Sequence, residues 1–428
     1  MAWQDSGATV AELIASPCGR NEELLAEASR LIALPTGLKA MTDRTTETAR
    51  IFFVSQGKTA VMNADGSGLR LFEFDVSDQA TWQACGFFAD GRVLFLSMEP
   101  RRDGPGRPFD EYYHRTPTHI WIYDLERDAL EEIATRERLA VFTTPQLLLK
   151  DGRMLVQVVR EDKTAQTYSV NLDGTDAREV TRAGEGMPYG LSLSPDGRRL
   201  AFHLAGRSGY QIWTSDVDGG NRVLVAAHEE YLYFGPHWSP DGEWLAYQGC
   251  LYRQDPGHDW SDLFVGRLDG SEQRMLTDGQ ALWFGATYGS PETRGGGSNM
   301  PVWSRDGAIL VSHRLPDSKV AWEYQPQRPD TDHFNRDFKP DIAFGGTEIC
   351  RVDPGDGAVV QLTCSDPPVW DFRQSESPDT RQMVFCRAET GAPPAIWVAD
   401  ADGRNQRQLT WGIDGRGADH PCWVPQAD

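Results

Sequence analysis

Long apolar runs, CxxC motifs and a surplus of basic residues are all missing from this 428-residue chain. A membrane-spanning helix needs about 20 consecutive apolar residues, and no stretch supplies them. The opening Met1-Ala2-Trp3-Gln4-Asp5 has no basic start leading into an apolar run, so no secretory signal is expected. Seven cysteines, Cys18, Cys85, Cys250, Cys350, Cys364, Cys386 and Cys422, are odd in number, scattered and without a CxxC pair. That pattern predicts reduced thiols and, with no signal, a cytoplasmic protein. Lys and Arg number 42 against 63 Asp and Glu, a formal net charge of -21. Neutralising phosphate needs clustered cations, so nucleic acid and anionic membrane are disfavoured as partners. A Gly-x-Ser-x-Gly elbow, a Walker-type phosphate loop and an HExxH helix are missing too, so nothing supports serine-hydrolase, nucleotide or zinc-peptidase chemistry.

What the chain does have is a repeat of two alternating signatures. The first is an apolar stretch ending in a tight turn, as in Leu193-Ser194-Pro195-Asp196-Gly197, Trp238-Ser239-Pro240-Asp241-Gly242 and Trp303-Ser304-Arg305-Asp306-Gly307. A short strand follows each, such as Leu200-Ala201-Phe202, so the unit reads as a hairpin. The second is a strand ending in another Asp-Gly turn, as in Asn171-Leu172-Asp173-Gly174 and Asp400-Ala401-Asp402-Gly403, then a segment closing in Leu276-Thr277, Leu362-Thr363 or Leu409-Thr410. Four antiparallel strands per repeat of about 45 residues are the mark of propeller blades. The count predicts an all-β, seven-bladed β-propeller over residues 46–428. Its last strand, around Ala418-Asp419-His420-Pro421-Cys422-Trp423, closes the ring on the first blade and removes exposed edges. Residues 1–45 read as an N-terminal helical extension, a lead-in packed on the propeller or else a partner-binding or homodimerising element.

The Trp-Ser-Pro-Asp-Gly and Asp-x-Asp-Gly…Leu-Thr pattern resembles the TolB-type (PD40) propeller repeat, which seven-bladed oligogalacturonate lyases also use. Strand alternation independently puts both Asp-Gly turns at one end and the long connections, 99–118, 251–261, 278–297 and 316–346, at the other. Long loops in compact folds are uncommon unless functional. All nine histidines fall on that second side or on innermost strands, which predicts ligand binding or acid–base work on a single face.

Counting from the repeated turns places His203, Gln248 and His313 at equivalent levels near the axis, with His237 and His420 on adjoining strands. Converging imidazoles and an amide suit a divalent metal, and His237, Gln248, His313 and His420 are the expected ligands. The resemblance to oligogalacturonate lyases implies manganese, although the closely spaced C-terminal histidines of that family have no counterpart here. Tyr113, His114 and Arg115 in the second blade's insertion, with His203, are the expected catalytic group: Arg clamps a carboxylate and Tyr or His moves a proton. Arg253, His258, Asp259, Trp260, His333 and Arg336 are the expected substrate-binding residues, acids and aromatics suited to a sugar ring. The resemblance implies a carbohydrate-active lyase cleaving small acidic saccharides. The alternatives are a noncatalytic TolB-like module binding a protein, or another sugar-modifying enzyme on the same scaffold.

Overall fold

The repeated turns owe their shape to side chains that hydrogen-bond their own backbone. Ser194 donates its hydroxyl to Asp196 Oδ1 (2.6 Å) while accepting from Arg199 N (2.9 Å), and Arg198 N donates to the same carboxylate (3.0 Å). Ser239 with Asp241 and Ser377 with Asp379 repeat this arrangement. The Leu-Thr pairs have an equally local cause: Thr277, Thr363 and Thr410 each accept, on Oγ1, the backbone N–H of Leu263, Ile349 or Ile396 on the neighbouring strand.

The computed structural model describes residues 49–424 apart from 56–57, 73–79, 89, 99–117, 134–148, 160–164, 207–208, 252–259, 282–298, 325–335 and 412–416. Sheet I joins Asp419–Trp423 to Arg50–Ser55, Lys58–Asn63 and Arg70–Phe72, with Ile51 opposite Trp423 and Phe52 opposite Cys422. Sheet II comprises Ala80–Phe87, Val93–Met98, Thr118–Asp124 and Ala129–Ile133, and sheet III comprises Met154–Val159, Ala165–Val170 and Arg178–Glu179. Sheet IV is Met187–Leu193, Arg199–Gly206, Gly209–Asp216 and Val223–Ala226; sheet V is Tyr231–Trp238, Trp244–Leu251, Asp262–Arg267 and Gln273–Met275. Sheet VI has eight strands, Val302–Trp303, Ile309–Arg314, Thr347–Val352 and Val359–Gln361, then Trp370–Glu376, Gln382–Ala388, Ala395–Asp400 and Arg407–Gln408. A two-stranded ribbon pairs Trp322–Tyr324 with Arg336–Phe338.

The chain is therefore an all-β propeller, but the described residues form five blades of four or more strands, not the seven expected. Sheet III has three strands, and residues 134–148 before it lie outside the described ones. Two expected blades share sheet VI because one parallel pairing, Thr347 with Trp370, joins them. The helices expected in the N-terminal segment also lie outside the described residues, among which the only helix is the 3-10 turn Pro340–Ile342. The expectation of seven reduced cysteines needs correcting as well: Cys350 and Cys386 are free thiols, but Cys364 is disulfide-bonded.

The core lies between sheets. Ala201, Ile212 and Val225 of sheet IV meet Tyr233, Leu245, Tyr247 and Phe264 of sheet V. Ala246, Leu263 and Val265 of sheet V meet Ile309, Val311, Cys350 and Val352 of sheet VI. Each large side chain buried this way contributes roughly 1.5–3 kcal/mol, so the sheets are held face to face and their inner strands are set rigidly.

Candidate functional site

Four innermost strands carry an inserted residue with left-handed backbone, a bulge that re-aims neighbouring side chains. Glycine fills it in sheets IV and V (Gly190, φ 56°; Gly235, φ 63°), but Arg373 (φ 54°) fills it in sheet VI and His420 (φ 52°) in sheet I. Such a backbone costs a non-glycine residue on the order of 1 kcal/mol or more and persists only where surroundings fix it. Here the surroundings are polar. Arg373 Nη1 pairs with Asp419 Oδ1 (3.1 Å) and donates to His420 Nε2, while Asn299 Oδ1 accepts from Arg373 N (2.6 Å) and Cys386 Sγ donates to Asp419 Oδ1 (3.4 Å). Burial first, then the adjacent guanidinium, hold the His420 imidazole down at about 4, so it is neutral. With Nε2 accepting from Arg373, that lone pair is unavailable to a metal ion. The arrangement fastens the closing strand to sheet VI.

His203 and His237 make similar fastenings. Gly235 N donates to His203 Nδ1 (3.3 Å), and the His203 ring stacks between Tyr189 and Tyr210, 5.3 and 5.8 Å away. Trp303 N donates to His237 Nδ1 (3.4 Å), and burial lowers the His237 pKa. His203 thus borders the gap between sheets IV and V, His420 the gap between VI and I, and His237, Gln248 and His313 the gap between V and VI.

The equivalence expected of His203, Gln248 and His313 does not hold. In sheets IV and V the turn closes from Ser194 N to Arg199 O and from Ser239 N to Trp244 O, but in sheet VI it closes one residue sooner, from Ser304 N to Ala308 O. A one-residue slip turns every following side chain to the opposite face. Ser312 therefore takes the level of His203 and Gln248, and its hydroxyl donates to Asp371 O (2.5 Å). His313 turns the other way, toward sheet V, on the same face as Val311. Gln248 shares the face of Ala246, toward sheet VI, so the two stand on opposite walls of one gap.

There His313 meets two residues that sequence reasoning missed. His313 and Glu348 are directly opposite in neighbouring strands, and Cys350 is two residues along on the same face. Ligand atoms of His313, Glu348 and Cys350 all lie within 4.8 Å of one another, close enough to share one metal ion. His313 is 7% exposed, and neither ring nitrogen has a hydrogen-bond partner among the described residues. Burial lowers its pKa and raises that of the Cys350 thiol. Burial also pushes Glu348 up to about 7, against hydrogen bonds from Gln361 Nε2 and Cys350 Sγ (3.7 Å) that favour its charged form. Burial thus favours the neutral imidazole and the neutral thiol, and Glu348 gives up its proton less readily than an exposed carboxyl. The signal that could have found it is the pair Glu348 and Cys350 in Thr347–Val352, which alternation puts on one face; finding His313 beside them required the register.

Trp260 is no open stacking platform. It is 4% exposed, with one face on Trp370 (6.1 Å, 12° between planes) and the Arg314 guanidinium 5.0 Å from its ring centre. Tyr113, His114, Arg115, Arg253, His258, Asp259 and His333 lie outside the described residues, and Arg336 is described only as part of its strand.

No family model matches the chain. An uncharacterized protein of Agrobacterium fabrum is 29% identical over 181 residues, covering 38% of this chain and 56% of that protein. The uncharacterized peptidase YuxL of Bacillus subtilis is 27% identical over 207 residues, 45% of this chain and 28% of that protein. The chain thus spans about half of the first and about a quarter of the second of these curated relatives' own lengths. Among solved structures, the β-propeller domain of the Trilobed protease from Pyrococcus furiosus matches with a TM-score of 0.50 at 12% identity, covering 87% of this chain and 97% of that one. At such identity the likeness shows the fold alone. Oligogalacturonate lyase in complex with manganese matches at 0.44 and 16% identity, covering 68% of this chain and 72% of that one, too distant to carry an argument.

Proposed function

We propose that the chain is a seven-bladed carbohydrate-active enzyme, a lyase that cleaves small uronate-containing oligosaccharides by β-elimination beside the gap between sheets V and VI. The blade count is supported by packing. Leu310, Ile349 and Leu362 in the first half of sheet VI stack on Met383, Phe385 and Ala399 in the second half, as adjacent blades do, and sheet III packs on sheet II in the same way.

The observation that carries the functional reading is His313, buried with both nitrogens unpartnered among the described residues, beside Glu348 and Cys350. Those three residues would hold a divalent ion, which when bound polarises a carboxylate oxygen. Arg115 and Arg253 hold the uronate carboxylate, which favours loss of the neighbouring C–H proton. Tyr113 or His114 takes that proton, the double bond forms as the carbon–oxygen bond at the adjacent β carbon breaks, and the same residue returns the proton to the leaving oxygen. The test is elemental analysis of the purified chain, then incubation with oligouronides while following the ultraviolet absorbance of the conjugated product. An ion with a rising absorbance supports the lyase; neither result leaves a binding module. That second reading is favoured by the match to a peptidase of which this chain spans 28%, consistent with a propeller that serves another domain.

A further inference from the structure

We propose that the gap between sheets V and VI is a site for a divalent ion of the zinc class, bound by the His313 imidazole, the Glu348 carboxylate and the Cys350 thiolate. The inference rests on the functional reading above for its location and deepens it by naming the ion and its ligands. One nitrogen, one oxygen and one sulfur are a borderline-soft donor set. Thiolate and imidazole suit zinc or cobalt, whereas manganese favours carboxylate, carbonyl and water. The manganese implied by the sequence resemblance is therefore a poor match to these residues. Three protein ligands with a fourth position open is also the pattern of zinc sites that bind water or substrate.

The geometry is close to closed. Bonds of about 2.0–2.3 Å put tetrahedral ligand atoms roughly 3.3–3.8 Å apart, so donors within 4.8 Å need draw in by about 1 Å. Two ligands sit opposite each other on adjacent strands and the third follows on the same strand, so the scaffold is rigid. A buried imidazole with two unmet nitrogens costs about 1–3 kcal/mol, and an ion on one of them removes part of that cost. Gln361 Nε2 donates to Glu348 Oε2 and acts as a positioning residue, holding the carboxylate toward the other two ligands.

The test uses the full chain, stripped with chelator and titrated with cobalt(II), then zinc(II). The expected result is about one ion per chain, a sulfur-to-cobalt charge-transfer band in the near ultraviolet, and its loss when zinc displaces cobalt. Cys350→Ser abolishes the band and weakens zinc binding at least ~100-fold, while Cys386→Ser, at another buried free thiol, leaves both unchanged. Glu348→Gln, which preserves volume in case Cys350→Ser fails to fold, keeps the band and weakens binding. Gln361→Ala weakens binding by about 10–100-fold without moving the band. A wild-type chain with no sulfur band, or a band that survives Cys350→Ser, overturns the site. An ion held by these ligands without elimination product keeps the site and removes the lyase. Elimination by a chain whose cobalt shows no sulfur band does the reverse.

Discussion

Replacing Glu348 with Gln in the metal-free chain separates its buried charge from every other acid in a molecule of net charge -21. The carboxyl is pushed from 4.5 up to about 7, chiefly by burial. Between those values the folded chain keeps a proton that the unfolded chain has released. Stability therefore falls as pH rises through about 4.5 to 7, and the loss is complete above the folded value. The difference is about 2.5 pH units, and at about 1.4 kcal/mol per unit the penalty is on the order of 3 kcal/mol. Glu348→Gln keeps the acceptor for Gln361 and removes the charge. In chelator, its unfolding free energy is expected to exceed wild type by about 2–3 kcal/mol near pH 8 and to equal it near pH 4. Denaturant unfolding of both chains across that range measures the gap. A gap independent of pH, or widest in acid, would refute the reasoning.

Other perturbations follow from particular contacts. Asp371, 1% exposed, is held by two bonds from Arg387 (2.6 and 2.7 Å). Arg387→Met should cost ~3–5 kcal/mol by leaving that carboxylate unpaired, and adding Asp371→Asn should restore much of it in denaturant titration. Gly403→Ala places a methyl 2.0 Å from Leu362 O at φ 84°, so it should lower stability by roughly 1–3 kcal/mol or more, read as a fall in melting temperature. Ser312→Ala removes the hydroxyl bond to Asp371 O and should cost about 1 kcal/mol with no loss of metal binding.

The propeller was legible because its causes are local. Ser194 and Asp196 shape their turn within a few residues, Thr277 caps a strand of its own repeat, and apolar alternation sets each strand's faces. Ring closure was legible for a related reason: the last strand lacks successors and the first sheet lacks an inner strand, and Asp419–Trp423 pairs with Arg50–Ser55. The histidines were another matter. Spacing from the repeated turns aligned His313 with His203 and Gln248, and a turn shorter by one residue undid that alignment.

The sequence by itself determined the strands, their turns and the all-β ring, since each depends on side chains bonding to backbone nearby. Tertiary structure alone decided which polar groups share a gap. His203, His237 and His420 were taken up in fastening one sheet to the next, while Glu348 and Cys350, unremarkable within a strand, came to lie beside His313. That outcome depends on strand register and sheet stacking, which join residues distant in sequence, and no local pattern encodes it.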